Sequence, residues 1–302
     1  MKTIGIVGGV GPYAGLDLAR KIFDNTEARH DQEHLDVLLI NSPRLIDDRS
    51  AYILAVRDGK VCTDSATDPA NPGHGIVACI RKLAAAGAEV VGVPCNTAHS
   101  PLIFDVVERE VAAQLPGIRL LHLVRETVVA VCACLPQGGT IGLLATPGTY
   151  ASGVYQTHVE EADLYGNYHL LEPDEEGKGR VRDAIYDTGY GIKAKSAPVT
   201  SRAIDYLTTE VWRLNERGAN AVIMGCTEIP LALDCHAFPF PLIDPAVALA
   251  RALICAAEPT RLRTRQSATT LPPSMRRPRV TVVRRSPPAS SYSPSVATTS
   301  AG

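Results

Sequence analysis

The chain makes one statement twice. An apolar strand runs into Pro94-Cys95-Asn96-Thr97, and a second, Val222-Ile223-Met224-Gly225, runs into Cys226-Thr227-Glu228. Upstream, Thr3-Ile4-Gly5-Ile6-Val7 opens the first half and Thr140-Ile141-Gly142-Leu143-Leu144 the second, 91 and 85 residues ahead of the two cysteines when counted from Ile4 and Ile141. Such a duplication restricts the fold to two like units related by a pseudo-twofold axis. Packed face to face, they set two thiols on opposite sides of one cleft. That geometry suits moving a proton from one face of a carbon to the other.

Short apolar runs alternate with helical stretches, which argues for βα repeats and a mainly parallel sheet in each half. Strands are expected over 3–7, 36–40, 89–93, 118–122, 140–145, 167–171, 219–224 and 241–243. The segment 101–114 carries Leu102, Ile103, Val106, Val107 and Val111 at helical spacing. Asp244-Pro245 reads as an N-cap followed by proline at the first helical position, opening a last helix that ends near Ala257. The boundary between a first domain, 1–117, and a second, 118–243, is placed at Leu115-Pro116-Gly117, and helix 244–257 is a candidate to cross back to the first domain.

After Glu258 there is no acidic residue but eight arginines, among Ser, Thr and Pro with few large apolar residues. Residues 259–302 are therefore expected to be a disordered tail. The whole chain has a net charge of −2, which argues for neither a nucleic-acid nor a membrane partner. No run approaches 18 uninterrupted apolar residues. The chain opens directly in a strand, so its eight cysteines read as reduced cytosolic thiols, with no CxxC pair to hold zinc. Cys62, Cys79, Cys132, Cys134, Cys235 and Cys255 read as small buried hydrophobes.

Removing the α-proton of an amino acid without a cofactor requires a base, donors aimed at the carboxylate, and an acid on the opposite face if the centre is to invert. Cys95 and Cys226 each follow a strand at the edge where open α/β sheets bind ligands, and a helix N-terminus there would favour the thiolate. Asn96, Thr97 and Thr227 add donors beside them. Gly9-Val10-Gly11-Pro12-Tyr13-Ala14 fits a dinucleotide-binding pattern, but the second strand ends at Asn41 rather than at the acid a ribose needs, so the Gly9-Val10 backbone is read as approaching a substrate carboxylate. His74 and His99 read as cap or surface histidines. His122 and Asp244, closing the last strand of each half, are candidates to support the site.

At these residues the chain resembles the aspartate/glutamate racemase family. The motifs that carry the resemblance are Gly8-Gly9-Val10-Gly11-Pro12, Pro94-Cys95-Asn96-Thr97-Ala98-His99, Leu144-Ala145-Thr146-Pro147-Gly148-Thr149, Gly225-Cys226-Thr227-Glu228-Ile229-Pro230-Leu231 and Pro241-Leu242-Ile243-Asp244-Pro245, covering the chain to about Ala257. The resemblance implies two pseudosymmetric Rossmann-like αβα domains, usually in a homodimer, with the substrate in the cleft between them and no cofactor or metal. It implies Cys95 and Cys226 as the catalytic pair, and Asn96, Thr97, Thr149 and Thr227 as groups that hold the α-carboxylate and amino group. Glu228, where glutamate racemases resemble Cys-Thr-His, points to the aspartate racemase branch. Arg49 and Lys193 match cationic residues that grip an acidic side chain, with Lys195 an alternative to Lys193.

The function expected is racemisation of aspartate, glutamate or both by a cytoplasmic isomerase. Hydantoin or broad-specificity racemase chemistry, a nicotinamide-dependent oxidoreductase and a non-catalytic binding protein are the alternatives.

Overall fold

The computed structural model describes residues 1–61, 68–163 and 166–264. The first half runs β1 (Ile4–Gly8), α1 (Pro12–Asp24), β2 (Val37–Asn41), α2 (Arg49–Arg57), α3 (Pro72–Ala85), β3 (Val90–Gly92), α4 (Pro101–Gln114), β4 (Arg119–Leu121) and α5 (Leu123–Cys134). The second repeats it with β5 (Gly139–Ala145), α6 (Pro147–Ser152), α7 (Val154–Ala162), β6 (Tyr168–Leu171), α8 (Glu175–Tyr186), α9 (Ser201–Glu216), β7 (Ala221–Gly225), β8 (Leu242–Ile243) and α10 (Pro245–Ala257). Every expected strand is present, displaced by no more than two residues at either end.

Both sheets are parallel, in the orders β2-β1-β3-β4 and β6-β5-β7-β8. Parallel strands covered on both faces need apolar residues throughout, and β1 and β7 are buried at every position. One core lies between the sheets, where Ile4, Ile6, Leu18, Ile22, Leu123, Tyr155, Ile223 and Leu253 meet. Two outer cores fill the far faces, under α3 and α4 on one side and under α8 and α9 on the other. The halves therefore share a central helical layer.

Two junctions depart from the sequence reading. β4 hydrogen-bonds to β3, so the chain leaves the first sheet after Leu121 and not at Pro116-Gly117. The helix following the fourth strand then crosses over in both halves: α5 packs on α7 of the second, and α10 packs on α1 of the first. Their N-caps are matched positions, His122 accepting from the Arg125 N–H and Asp244 from the Ala246 and Val247 N–H groups. The tail also begins later than Pro259. Pro259–Arg261 forms a 3-10 turn, Leu262 bridges Thr26, and the Arg263 guanidinium donates to the Asp24 carbonyl at 2.9 Å. Residues 265–302, with the rest of the expected tail, and Cys62 lie outside the described residues.

Candidate active site

The carboxyl ends of the strands in both sheets converge on one small cavity. It is lined by Val10 after β1, Asp48, Arg49 and Ser50 at the start of α2, Cys95, Asn96 and Thr97 after β3, Thr146 after β5, Tyr186 and Lys193 after β6, and Cys226, Thr227 and Glu228 after β7. The cavity is tight: the space open to the centre of a water-sized sphere is about 10 Å³, room for about one water.

Glycine shapes the rim. Gly9 has φ of +88°, and a Cβ there would lie 2.6 Å from the Ser42 and Pro43 backbone. A Cβ on Gly11 would stand 2.2 Å from Glu228 Oε1, so the first half's glycine loop is seated against the second half's cysteine turn. A carboxylate of the second half is thus packed against the glycine loop at the start of α1. Gly11→Ala is expected to expel Glu228 and to cost roughly 1–3 kcal/mol, as overpacking does, read as a lower thermal midpoint. An unchanged midpoint would mean that the loop relaxes at no cost.

On the first-half wall, the Cys95 N–H bonds the Val93 carbonyl at 2.9 Å and the chain enters a 3-10 turn, Thr97–His99, before α4. Cys95 is 8% exposed. Arg49 is N-terminal in α2, behind the Asp48 cap, with its guanidinium donating to the Val10 and Asp47 carbonyls. Burial disfavours the Arg49 charge, but the Cys95 sulfur faces it closely enough to raise its pKa nonetheless. Asn96 Oδ1 accepts from Tyr155 OH at 2.5 Å. Asn96 Nδ2 and Arg49 Nε are buried without a hydrogen-bond partner. A buried donor left unpaired is costly, so both atoms are suited to an acceptor brought by a ligand.

The opposite wall is an ionic chain. Cys226 Sγ donates to Glu228 Oε2 at 3.0 Å, and Lys193 Nζ donates to Glu228 Oε1 at 2.6 Å. Burial, and then the Glu228 charge, push the Cys226 thiol well above its ordinary range. Burial would raise Glu228 as well, but Lys193, the Cys226 hydrogen bond and Arg49 outweigh it and hold the carboxyl below its usual value. The expected thiolate-favouring helix terminus is missing here, because Cys226 is followed only by a three-residue 3-10 turn, Ile229–Leu231. A turn that short has little dipole to offset burial.

Between the walls, Thr97, Thr146 and Thr149 form a hydroxyl triangle with Oγ1 separations of 2.9 to 3.0 Å. Ser50 Oγ lies 3.3 Å from Tyr186 OH. Thr227 Oγ1 donates to the Pro94 carbonyl at 2.8 Å, tying the two cysteine turns together.

Of the residues proposed from sequence, Val10, Arg49, Asn96, Thr97, Lys193, Thr227, Glu228 and both cysteines line the cavity. Thr149 stands behind Thr97, and Gly9 shapes the loop without lining it. Lys195 does not line the cavity. His122 and Asp244 stay off the wall as helix caps. The reading missed Asp48, Ser50, Thr146 and Tyr186. Thr146 was detectable as a cap before Pro147. Tyr186, the last residue of α8, carries no local mark. Among the described residues, one grouping has metal-ligand proximity, Asp234-Cys235-His236, and it is exposed and lines no part of the cavity.

Comparison with known proteins gives the same direction. A family model described as Asp/Glu/Hydantoin racemase matches residues 7–253. The glutamate racemase of Roseiflexus sp. (strain RS-1) is 29% identical over 163 residues, 51% of this chain, which spans about half (49%) of that protein's length. The broad-specificity amino-acid racemase RacX of Bacillus subtilis (strain 168) is 23% identical, over 83% of this chain and 96% of that protein. Among solved structures, the Picrophilus torridus aspartate racemase superposes with a TM-score of 0.64 at 24% identity, covering 85% of this chain and 94% of that one. A putative Asp/Glu racemase from Yersinia pestis gives 0.60 at 23%, covering 85% and 99%. The chain belongs to the Asp/Glu/hydantoin racemase family.

Proposed function

We propose that this member of the Asp/Glu/hydantoin racemase family racemises an acidic amino acid, aspartate or glutamate, by proton transfer between two cysteines and without a cofactor. The observation that carries the reading is that Cys95 and Cys226, supplied by matching turns of the two sheets, line the same small cavity. In one direction Cys95, as the thiolate, takes the α-proton: an S–H bond forms, the Cα–H bond breaks, and the electron pair passes into the substrate carboxylate. The Cys226 S–H then protonates the opposite face and becomes the thiolate. In the reverse direction the roles exchange: Cys226 begins as the thiolate that forward turnover leaves, with Lys193 the nearby positive charge, and Cys95 begins as the thiol that holds the abstracted proton. Asn96 Nδ2 and Arg49 Nε are the donors assigned to substrate oxygens.

The test is incubation of the purified protein with each proteinogenic L-amino acid in D2O, followed by chiral chromatography and measurement of Cα–H loss. Appearance of D-aspartate or D-glutamate carrying deuterium is the expected result; no exchange with any amino acid would remove the reading.

A second reading, broad specificity, draws support from one contact. Lys193 is already paired with Glu228, so it is less available to a side-chain carboxylate. Arg49→Ala separates the two. For an acid-specific enzyme it should lower kcat/KM for aspartate or glutamate by about 10²-fold, in the range of a buried charge-assisted hydrogen bond, and change neutral amino acids far less. Equal losses on both classes would favour the broad reading.

A further inference from the structure

Behind Cys95 lies a group the mechanism above does not use. His99 is 1% exposed, four residues after Cys95. Its Nδ1 is 2.8 Å from the Cys95 carbonyl, and its Nε2 is 3.1 Å from the Leu123 N–H at the start of α5. A backbone N–H can only donate and a carbonyl can only accept, so the ring is neutral with its proton on Nδ1. The imidazole thereby clamps the Cys95 turn to the first turn of the helix that crosses between the halves. Its ring is stacked on Phe104 at 4.2 Å.

The corresponding turn in the second half has no such clamp. Four residues after Cys226 stands Pro230, which has no hydrogen-bonding side chain. The matched cap joints differ too. Asp244 is ion-paired at 2.6 Å with Lys21 of α1, whereas His122 packs on His99 and on His158 of α7 with ring centroids 4.6 and 4.7 Å apart. One joint is held by an ion pair and the other by packed imidazole rings.

We propose that His99 is a positioning residue for Cys95, that it does so only as the neutral Nδ1–H tautomer, and that protonating it releases the Cys95 turn. The functional part of this rests on the assignment of Cys95 to proton transfer; the clamp itself does not. The titratable and charged groups facing His99 are His122 and Arg125 from the β4–α5 joint and His158 from α7, itself 2.7 Å from Glu161. Phe104 covers it from α4 without charge. Burial pushes His99 from 6.5 down to about 4, against the opposing pull of its bond to the Cys95 carbonyl. The unfolded chain therefore takes up this proton at a higher pH than the folded one. Stability contributed by the neutral ring is complete above pH 6.5 and is lost progressively as pH falls toward 4.

The experiment combines ¹⁵N-imidazole NMR of the histidine-labelled protein with two substitutions. The spectrum should show His99 neutral with its proton on Nδ1 at pH 7 and unchanged at pH 5. His99→Phe, which keeps the ring stack and removes both hydrogen bonds, should lower kcat by about 10-fold or more with KM within twofold, because a displaced reacting group costs rate before binding. Iodoacetamide labelling of Cys95, mapped by peptide mass spectrometry, should become roughly 5-fold faster as the turn opens locally. His99→Asn, whose amide N–H can take the place of Nδ1–H, should restore most of both.

A proton on Nε2, a charged ring at pH 7, or a His99→Phe protein with parental kcat and labelling would overturn the proposal. If His99→Phe does not fold, the tautomer and the His99→Asn labelling rate decide it. A parent protein without turnover on any amino acid would remove the racemase reading, while labelling and tautomer would still decide the clamp.

Discussion

Cys226→Ser is expected to stop interconversion of the enantiomers, with a fall of roughly 10³-fold or more, the upper range for loss of a positioned acid or base. A serine hydroxyl would occupy the thiol's place beside Glu228, but its pKa is too high for it to accept or give the proton at Cα at a useful rate. Cys95 would remain intact, 8% exposed and faced by Arg49. In D2O the variant should therefore still exchange the α-proton of one enantiomer without inverting it. Cys95→Ser should show the opposite selectivity, exchanging only the other enantiomer through Cys226. Chiral chromatography with mass detection separates exchange from inversion, and circular dichroism confirms that each variant is folded. Interconversion near the parental rate in either variant would exclude two-base transfer.

Glu228→Gln is the second large effect, expected at about 10- to 10²-fold in kcat. The amide is nearly isosteric, but it carries no charge to hold the Cys226 hydrogen bond, and it breaks the Lys193 ion pair. The sign of the accompanying titration distinguishes this account from simple damage to the site. Burial first, and the Glu228 charge second, raise the Cys226 thiol, whereas Lys193 lowers it. Removing the carboxylate leaves the Lys193 charge uncompensated, so the thiol should ionise at lower pH than in the parent. Alkylation of Cys226 followed against pH should accordingly shift its midpoint downward while turnover falls. A midpoint that stays in place or rises would mean that the carboxylate does not govern the thiol.

The parts of the fold that were legible in the residues are those governed by local rules. The buried runs 4–7 and 221–224 read as strands because a parallel sheet covered on both faces requires unbroken apolar residues. Asp244-Pro245 opened the last helix as expected, since an N-cap acceptor and a proline at the first helical position act within a few residues of each other. The boundary at Pro116-Gly117 failed for the complementary reason. Proline and glycine mark a turn, but they do not say which sheet the next strand joins, and β4 joined the first through its bonds to β3. The tail boundary failed because Arg261 and Arg263, unremarkable in an Arg-rich stretch, meet Glu33 and the Asp24 carbonyl from the far end of the chain.

In the site, the duplicated turns identified both cysteines, and the residues next to them named much of the wall. Their protonation was not legible. The position of Cys226 after a strand suggested a favoured thiolate, yet the thiol is raised because it is buried beside a carboxylate. His99, Tyr186 and Ser50 carry no local mark, since what makes them matter is a partner more than twenty residues away: Leu123 for His99, and each other for Ser50 and Tyr186.

Taken alone, the order of residues determined two parallel-sheet halves, the Asp244 cap of the last helix and the likeness of two cysteine turns, because each of these is written in short runs of neighbouring residues. The tertiary structure decided the rest: that both sulfurs line one cavity, that Glu228 lies between Cys226 and Lys193, and that an imidazole holds the Cys95 turn. Charge state and reach are set by what packs around a group in space, and the halves bring those groups together only when α5 and α10 cross between them.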